Sequence, residues 1–96
     1  MMNINKTIDR AIEKYGEKQQ KIVAIEEMSE LTKEISKDLR GKPDIAHITE
    51  EMADVNIMLM QLQKMYNINL QTLFEAINNK LDRLEKRLDD EESRKD

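Results

Sequence analysis

Ile48, Met52, Val55, Leu59, Leu62 and Tyr66 recur at alternating steps of four and three, and no other feature constrains the fold as strongly. That alternation keeps one side of an α-helix apolar over about five turns, and it is the repeat by which helices pack into bundles. The pattern returns elsewhere. Ala24, Met28, Leu31, Ile35 and Leu39 form a stripe within residues 17–40, and Leu73, Ile77, Leu81, Leu84 and Leu88 form another. A weaker one runs through Ile4, Ile8, Ala11, Ile12 and Tyr15.

The punctuation between the stripes divides the chain into four predicted helices. Gly16 stops the first, over residues 4–15. Lys37 and Arg40 favour the negative end of the second, Gly41 supplies its left-handed C′ position, and Pro43 follows. Asp44 is a predicted N-cap for the third helix, and Asn69 for the fourth, with Ile68 and Leu73 as a hydrophobic staple. Glu, Lys, Leu, Met, Gln and Ala dominate, aromatics are 3% of the residues, and strands have nowhere to go. The expectation is an all-α, four-helix-bundle-like fold in a single domain over residues 1–96. Its core covers about 17–88, and 89–96 ("DDEESRKD") form a charged, solvated tail.

The chemistry of the chain excludes several function classes. A net charge of −4 gives no global basic field for a nucleic-acid backbone, so no nucleic-acid partner is expected. No cysteine is present, which removes disulfides, thiolate chemistry and zinc–thiolate sites. No stretch approaches the roughly 20 apolar residues of a membrane span, and "MMNINKTIDR" has no apolar core of a signal peptide. A cytoplasmic protein without a membrane partner is expected. Within "VNIMLMQL", Ile57 and Met60 point away from the main stripe of the third helix, which predicts a homo-oligomer.

Two acidic phrases share one spacing, "EEMSE" at 26–30 and "EEMAD" at 50–54. At about 100° per residue, Glu27 and Glu30 lie roughly 80° and 140° to one side of the second stripe, with Glu34 between them. Glu51 and Asp54 lie roughly 60° and 120° to the same side of the third stripe. Glu26 and Glu50 point further out. The short "GKPD" connection makes the two helices antiparallel neighbours, so the acidic rows can face each other. Carboxylates meeting at a low-dielectric edge repel unless a cation holds them, and oxygen ligands suit Mg²⁺ first and Mn²⁺ second. On the fourth helix Lys80, Arg83 and Arg87 form a basic row at the side of the stripe, a complement for the oxygens of a polyphosphate. The pattern points to metal-assisted hydrolysis of a phosphoanhydride. The plainer reading is that these charges are solvated faces and surface ion pairs of a charged bundle.

Glu26-Glu27-x-x-Glu30, a spacer, then Glu51-x-x-Asp54 resembles the E-E-x-x-E…E-x-x-D signature of the MazG-like nucleotide pyrophosphohydrolases, of the all-α NTP pyrophosphatase superfamily. The likeness runs from about Gln20 to Leu88 and takes in "KEISKDLRGK", "EEMADVNIMLMQL" and "NKLDRLEKRL". The resemblance implies a four- or five-helix fold that forms dimers or tetramers and hydrolyses nucleoside triphosphates to monophosphate and pyrophosphate with Mg²⁺. By position it implies Glu27, Glu30, Glu51 and Asp54 as metal ligands. It gives Glu26 a water-orienting or cross-subunit role, brings Lys80 to the phosphates and makes Arg83 its helper. Several relatives carry Asn-Arg shortly after that lysine, where this chain has Leu84 and Glu85.

Few aromatics are available to stack on a base: Tyr15, Tyr66 and Phe74, of which Phe74 is expected in the core. His47, the single histidine, is read as a surface residue at the start of the third helix, and the chain lacks the paired Glu-x-x-His of a ferritin-like di-iron site. Two other functions fit the same residues. One is a non-catalytic helical-bundle interaction protein, and the other is a phosphoribosyl-ATP pyrophosphohydrolase.

Overall fold

The structure, a computed structural model, describes residues 3–94. It contains four helices in order: α1 (Ile4–Tyr15), α2 (Glu17–Leu39), α3 (Ile45–Met65) and α4 (Leu70–Ser93). There is no strand among the described residues, and the fold is all-α.

Each boundary has a local cause. Asn3, Asp44 and Asn69 are extended N-caps whose side chains accept hydrogen bonds from the backbone N–H groups of Lys6, His47 and Gln71. Gly41, at φ +83°, closes α2 in a Schellman motif: Lys42 N–H donates to the Lys37 carbonyl and Gly41 N–H to that of Asp38. Asn67, at φ +53°, closes α3 in the same way, with Ile68 N–H on the Gln63 carbonyl and Asn67 N–H on that of Lys64. Past Leu88, where a solvated tail is expected, α4 continues to Ser93. The helix dipole disfavours the Asp and Glu residues of this last stretch, and the Ser93 hydroxyl bonds back to the Asp89 carbonyl at 2.9 Å. Residues 95–96 of that tail lie outside the described residues.

The principal packing is a hairpin of α2 against α3. Gln20 Nε2 donates to Gln61 Oε1 at 2.8 Å near one end, and His47 Nδ1 lies 3.1 Å from Glu34 Oε1 near the other, so the helices are antiparallel. Helix α1 lies against both, with Ile8 buried and Lys64 Nζ 2.8 Å from Asp9 Oδ1.

The faces that meet overlap the apolar stripes only in part. On α2 the seam consists of Gln20, Ala24, Glu27, Leu31 and Glu34, turned about 60° from the stripe, which leaves Met28 and Ile35 38% and 46% exposed. Helix α3 is turned by a similar angle, burying Met58 and Gln61 and exposing Met52 and Leu59. Among the described residues three apolar side chains are buried: Ile8, Ala24 and Met58.

Helix α4 packs against none of the other three to a comparable extent, and none of its residues is buried. Its stripe is open to solvent, with Leu81 54% exposed, and Phe74, expected in the core, is 59% exposed. The radius of gyration is 17.4 Å, against about 12–13 Å for a compact chain of this length. The four sequence-predicted helices are all present, and the single chain leaves the fourth unpartnered.

Candidate metal centre

Two of the three charges at the centre come from the E-x-x-D phrase of α3 and one from α2. Glu51 and Asp54 are three residues apart and therefore share a face of α3. Glu27 opposes them from the antiparallel α2. One carboxylate oxygen from each of Glu27, Glu51 and Asp54 lies within 4.8 Å of the other two. Glu27 and Glu51 are half-buried and Asp54 is exposed, so the group sits at the rim of the seam with one side open to solvent.

Partial burial pushes the Glu27 carboxyl above its ordinary value, and the charges of Asp54 and then Glu51 push it further the same way. A protonated Glu27 can also donate to either neighbour, which holds the proton in place. Glu51 Oε2 is buried and has no hydrogen-bond partner. A lone buried carboxylate oxygen costs roughly 1–3 kcal/mol or more. Three converging carboxylates that disfavour one another's charge, one of them with an unsatisfied oxygen, fit a hard divalent cation, which takes oxygen ligands and cancels the repulsion.

The remaining sequence candidates lie elsewhere. Glu30 is exposed and outside the three-carboxylate group, because the α2 seam runs through Gln20, Glu27 and Glu34 and Glu30 lies about 60° round the helix from Glu27. Glu26 is exposed and points outward, as its position on the wheel requires. Lys80 and Arg83 are exposed on α4, where with Leu84 and Arg87 they line a hollow formed by that helix alone. The expected junction of acidic pocket and basic row is therefore not made within one chain.

Two polar pairs in the same seam were not singled out from the sequence. Glu34 is buried, with Oε1 taking the His47 contact and Lys37 Nζ 3.3 Å from Oε2. Gln61 is buried against Gln20. Spacing could have found both: Gln20 and Glu34 each lie seven residues from Glu27, and His47 and Gln61 each lie seven from Asp54.

Residues 16–88 match the family model of the MazG nucleotide pyrophosphohydrolase domain. The chain belongs to the MazG family. The matched span includes both acidic phrases, the polar pairs of the seam and the basic row of α4. Neither the curated proteins nor the solved structures gave a match. No helix among the described residues of this MazG domain is long and apolar enough to cross a membrane.

Proposed function

We propose that this MazG domain is a nucleoside triphosphate pyrophosphohydrolase that converts (d)NTP to (d)NMP and pyrophosphate with Mg²⁺, which Mn²⁺ can replace. The observation that carries the reading is the convergence of one carboxylate oxygen from each of Glu27, Glu51 and Asp54 at an open rim. Family membership supports the nucleotide substrate. A divalent cation held there would supply positive charge for the phosphate oxygens and lower the pKa of a bound water.

The protein's own residues divide the remaining work. Glu27, Glu51 and Asp54 form the cradle, and Glu30, one turn along α2 from Glu27, extends it at the rim. Glu26 serves as the water-orienting group. Lys80 and Arg83 donate to the phosphates and neutralise charge that develops as the anhydride breaks.

Because α4 has no substantial packing against either carboxylate-bearing helix, this division requires self-association, as a dimer or tetramer in which α4 meets the seam of another copy. The surface area supports association. The chain exposes 8162 Å², against about 5,700 Å² expected for a compact monomer of this mass, an excess of the size that obligate partners bury. A nucleotide substrate fits a cytoplasmic site of action.

The experiment is product identification. Purified protein incubated with Mg²⁺ and a panel of NTPs and dNTPs is followed by ³¹P NMR. Monophosphate and pyrophosphate in equal amounts support the reading. Diphosphate with inorganic phosphate, or no turnover of any nucleotide, would refute it.

A further inference from the structure

The α2–α3 seam carries three polar layers, a heptad apart. Gln20 faces Gln61, Glu27 faces Asp54, and Glu34 faces His47. The outer two are hydrogen bonded, at 2.8 Å and 3.1 Å, and their α2 members are buried: Gln20 is 6% and Glu34 8% exposed. Seven residues of helix rise about 10.5 Å, so each pair lies about 10 Å from the carboxylate group, one on either side. The hydrolytic reading uses neither pair.

Hydrophobicity alone would turn α2 differently. Centring the stripe of Ala24, Met28, Leu31 and Ile35 on α3 requires a rotation of about 60° and would bury Met28 and Ile35. A carboxylate about 5–6 Å from the helix axis moves about 5–6 Å in such a turn. That displacement exceeds the 4.8 Å within which the three ligand atoms now lie. The same turn would pull Gln20 off Gln61 and Glu34 off His47, leaving buried polar groups without partners. Hydrogen-bonded polar layers in an apolar seam commonly cost stability and confer one arrangement out of several.

We propose that the Gln20–Gln61 and Glu34–His47 pairs are positioning pairs that fix the rotation of α2 against α3 and so hold Glu27 opposite Asp54. This rests on the reading of Glu27, Glu51 and Asp54 as a metal centre. The five-residue connection between the helices sets how far they slide, and the pairs set how they turn.

The test is Mn²⁺ binding to the nucleotide-free protein, read by electron paramagnetic resonance beside a melting curve. Q20L/Q61L replaces both amides with apolar groups of similar size and leaves no unpaired partner. It should fold, melt at or above the wild-type temperature in EDTA, and bind Mn²⁺ at least tenfold more weakly. H47L leaves buried Glu34 with Lys37 as its remaining partner, so its melting curve is read beside its affinity, and it should stay folded and weaken binding about fivefold. E34Q keeps an acceptor for His47 Nδ1–H and should bind within about threefold of wild type. Wild-type affinity in folded Q20L/Q61L and in H47L would overturn the positioning role and leave the metal centre standing. If wild-type protein itself takes up no Mn²⁺, the metal centre falls, and the positioning role falls with it.

Discussion

Glu27→Gln should have opposite effects on stability without and with a divalent cation. Without one, the substitution removes a charge that faces two others. At the 4.8 Å limit of the group, one pair of unit charges repels by about 0.9 kcal/mol at the dielectric of water and about 3.5 kcal/mol at an effective value of 20. Asp54 is exposed and Glu27 half-buried, which puts the relief near the lower end, about 1–2 kcal/mol for the two neighbours together. For a domain of this size that raises the melting temperature by about 5–10 °C in EDTA. With Mg²⁺ the order reverses. Wild type gains about 2.7 kcal/mol at a hundred times its dissociation constant, whereas the variant keeps two of the three carboxylates and gains less. The assay is thermal melting at one fixed protein concentration, because association also moves the midpoint. Glu50→Gln is the control, because Glu50 is exposed and outside the group, and it should change both midpoints little. A Glu27→Gln protein less stable than wild type in EDTA, or equally stabilised by Mg²⁺, would refute the geometry assigned to the centre.

Other outcomes follow from single observations. Folded Glu27 holds its proton above the ordinary value of 4.5, so its contribution to metal-free stability is full below 4.5 and is lost as pH rises through its raised value. Urea midpoints against pH in EDTA should show that fall in wild type and not in Glu27→Gln, and parallel curves would contradict it. Gly41→Ala forces a side chain to φ +83° in otherwise open space, a backbone cost alone of about 1 kcal/mol, measurable as a drop in melting temperature. Leu81→Asp puts a charge in the exposed stripe of α4 and should shift the protein towards monomer in analytical ultracentrifugation, with loss of turnover and an unchanged helical circular-dichroism signal.

The helices and their ends were legible because their causes are local. Gly41, Asp44 and Asn69 act through their own backbone or through a turn next to them, and each sits where a sequence rule puts it. Asn67 was missed because asparagine takes the left-handed position only sometimes, and nothing next to it forces the assignment. The site was legible in part. The convergence of Glu27, Glu51 and Asp54 was legible because a repeated spacing placed them on one side of their helices.

The rotation of the pair was not legible. Apolar spacing names the face a helix would bury against any neighbour, whereas α2 and α3 meet on a face with Gln20, Glu34 and Gln61 in it, a choice made by cross-helix hydrogen bonds. That same 60° turn brings Glu27 into the seam and Glu30 only to about 80° from its centre, and leaves Met28, Ile35, Met52 and Leu59 exposed. Phe74 was expected in the core and α4 to carry an apolar stripe, but spacing does not say what covers either, and within one chain both are exposed.

The most direct test of the central claim is pyrophosphate release by wild type and by Glu51→Gln, with Mg²⁺ at saturation over one panel of nucleotides. Glu51 carries the unsatisfied oxygen, and its amide cannot hold a cation as the carboxylate does. The account predicts Mg²⁺-dependent pyrophosphate from wild type and at least a hundredfold less from Glu51→Gln. Equal release by both proteins, or none from wild type with any nucleotide, would contradict it.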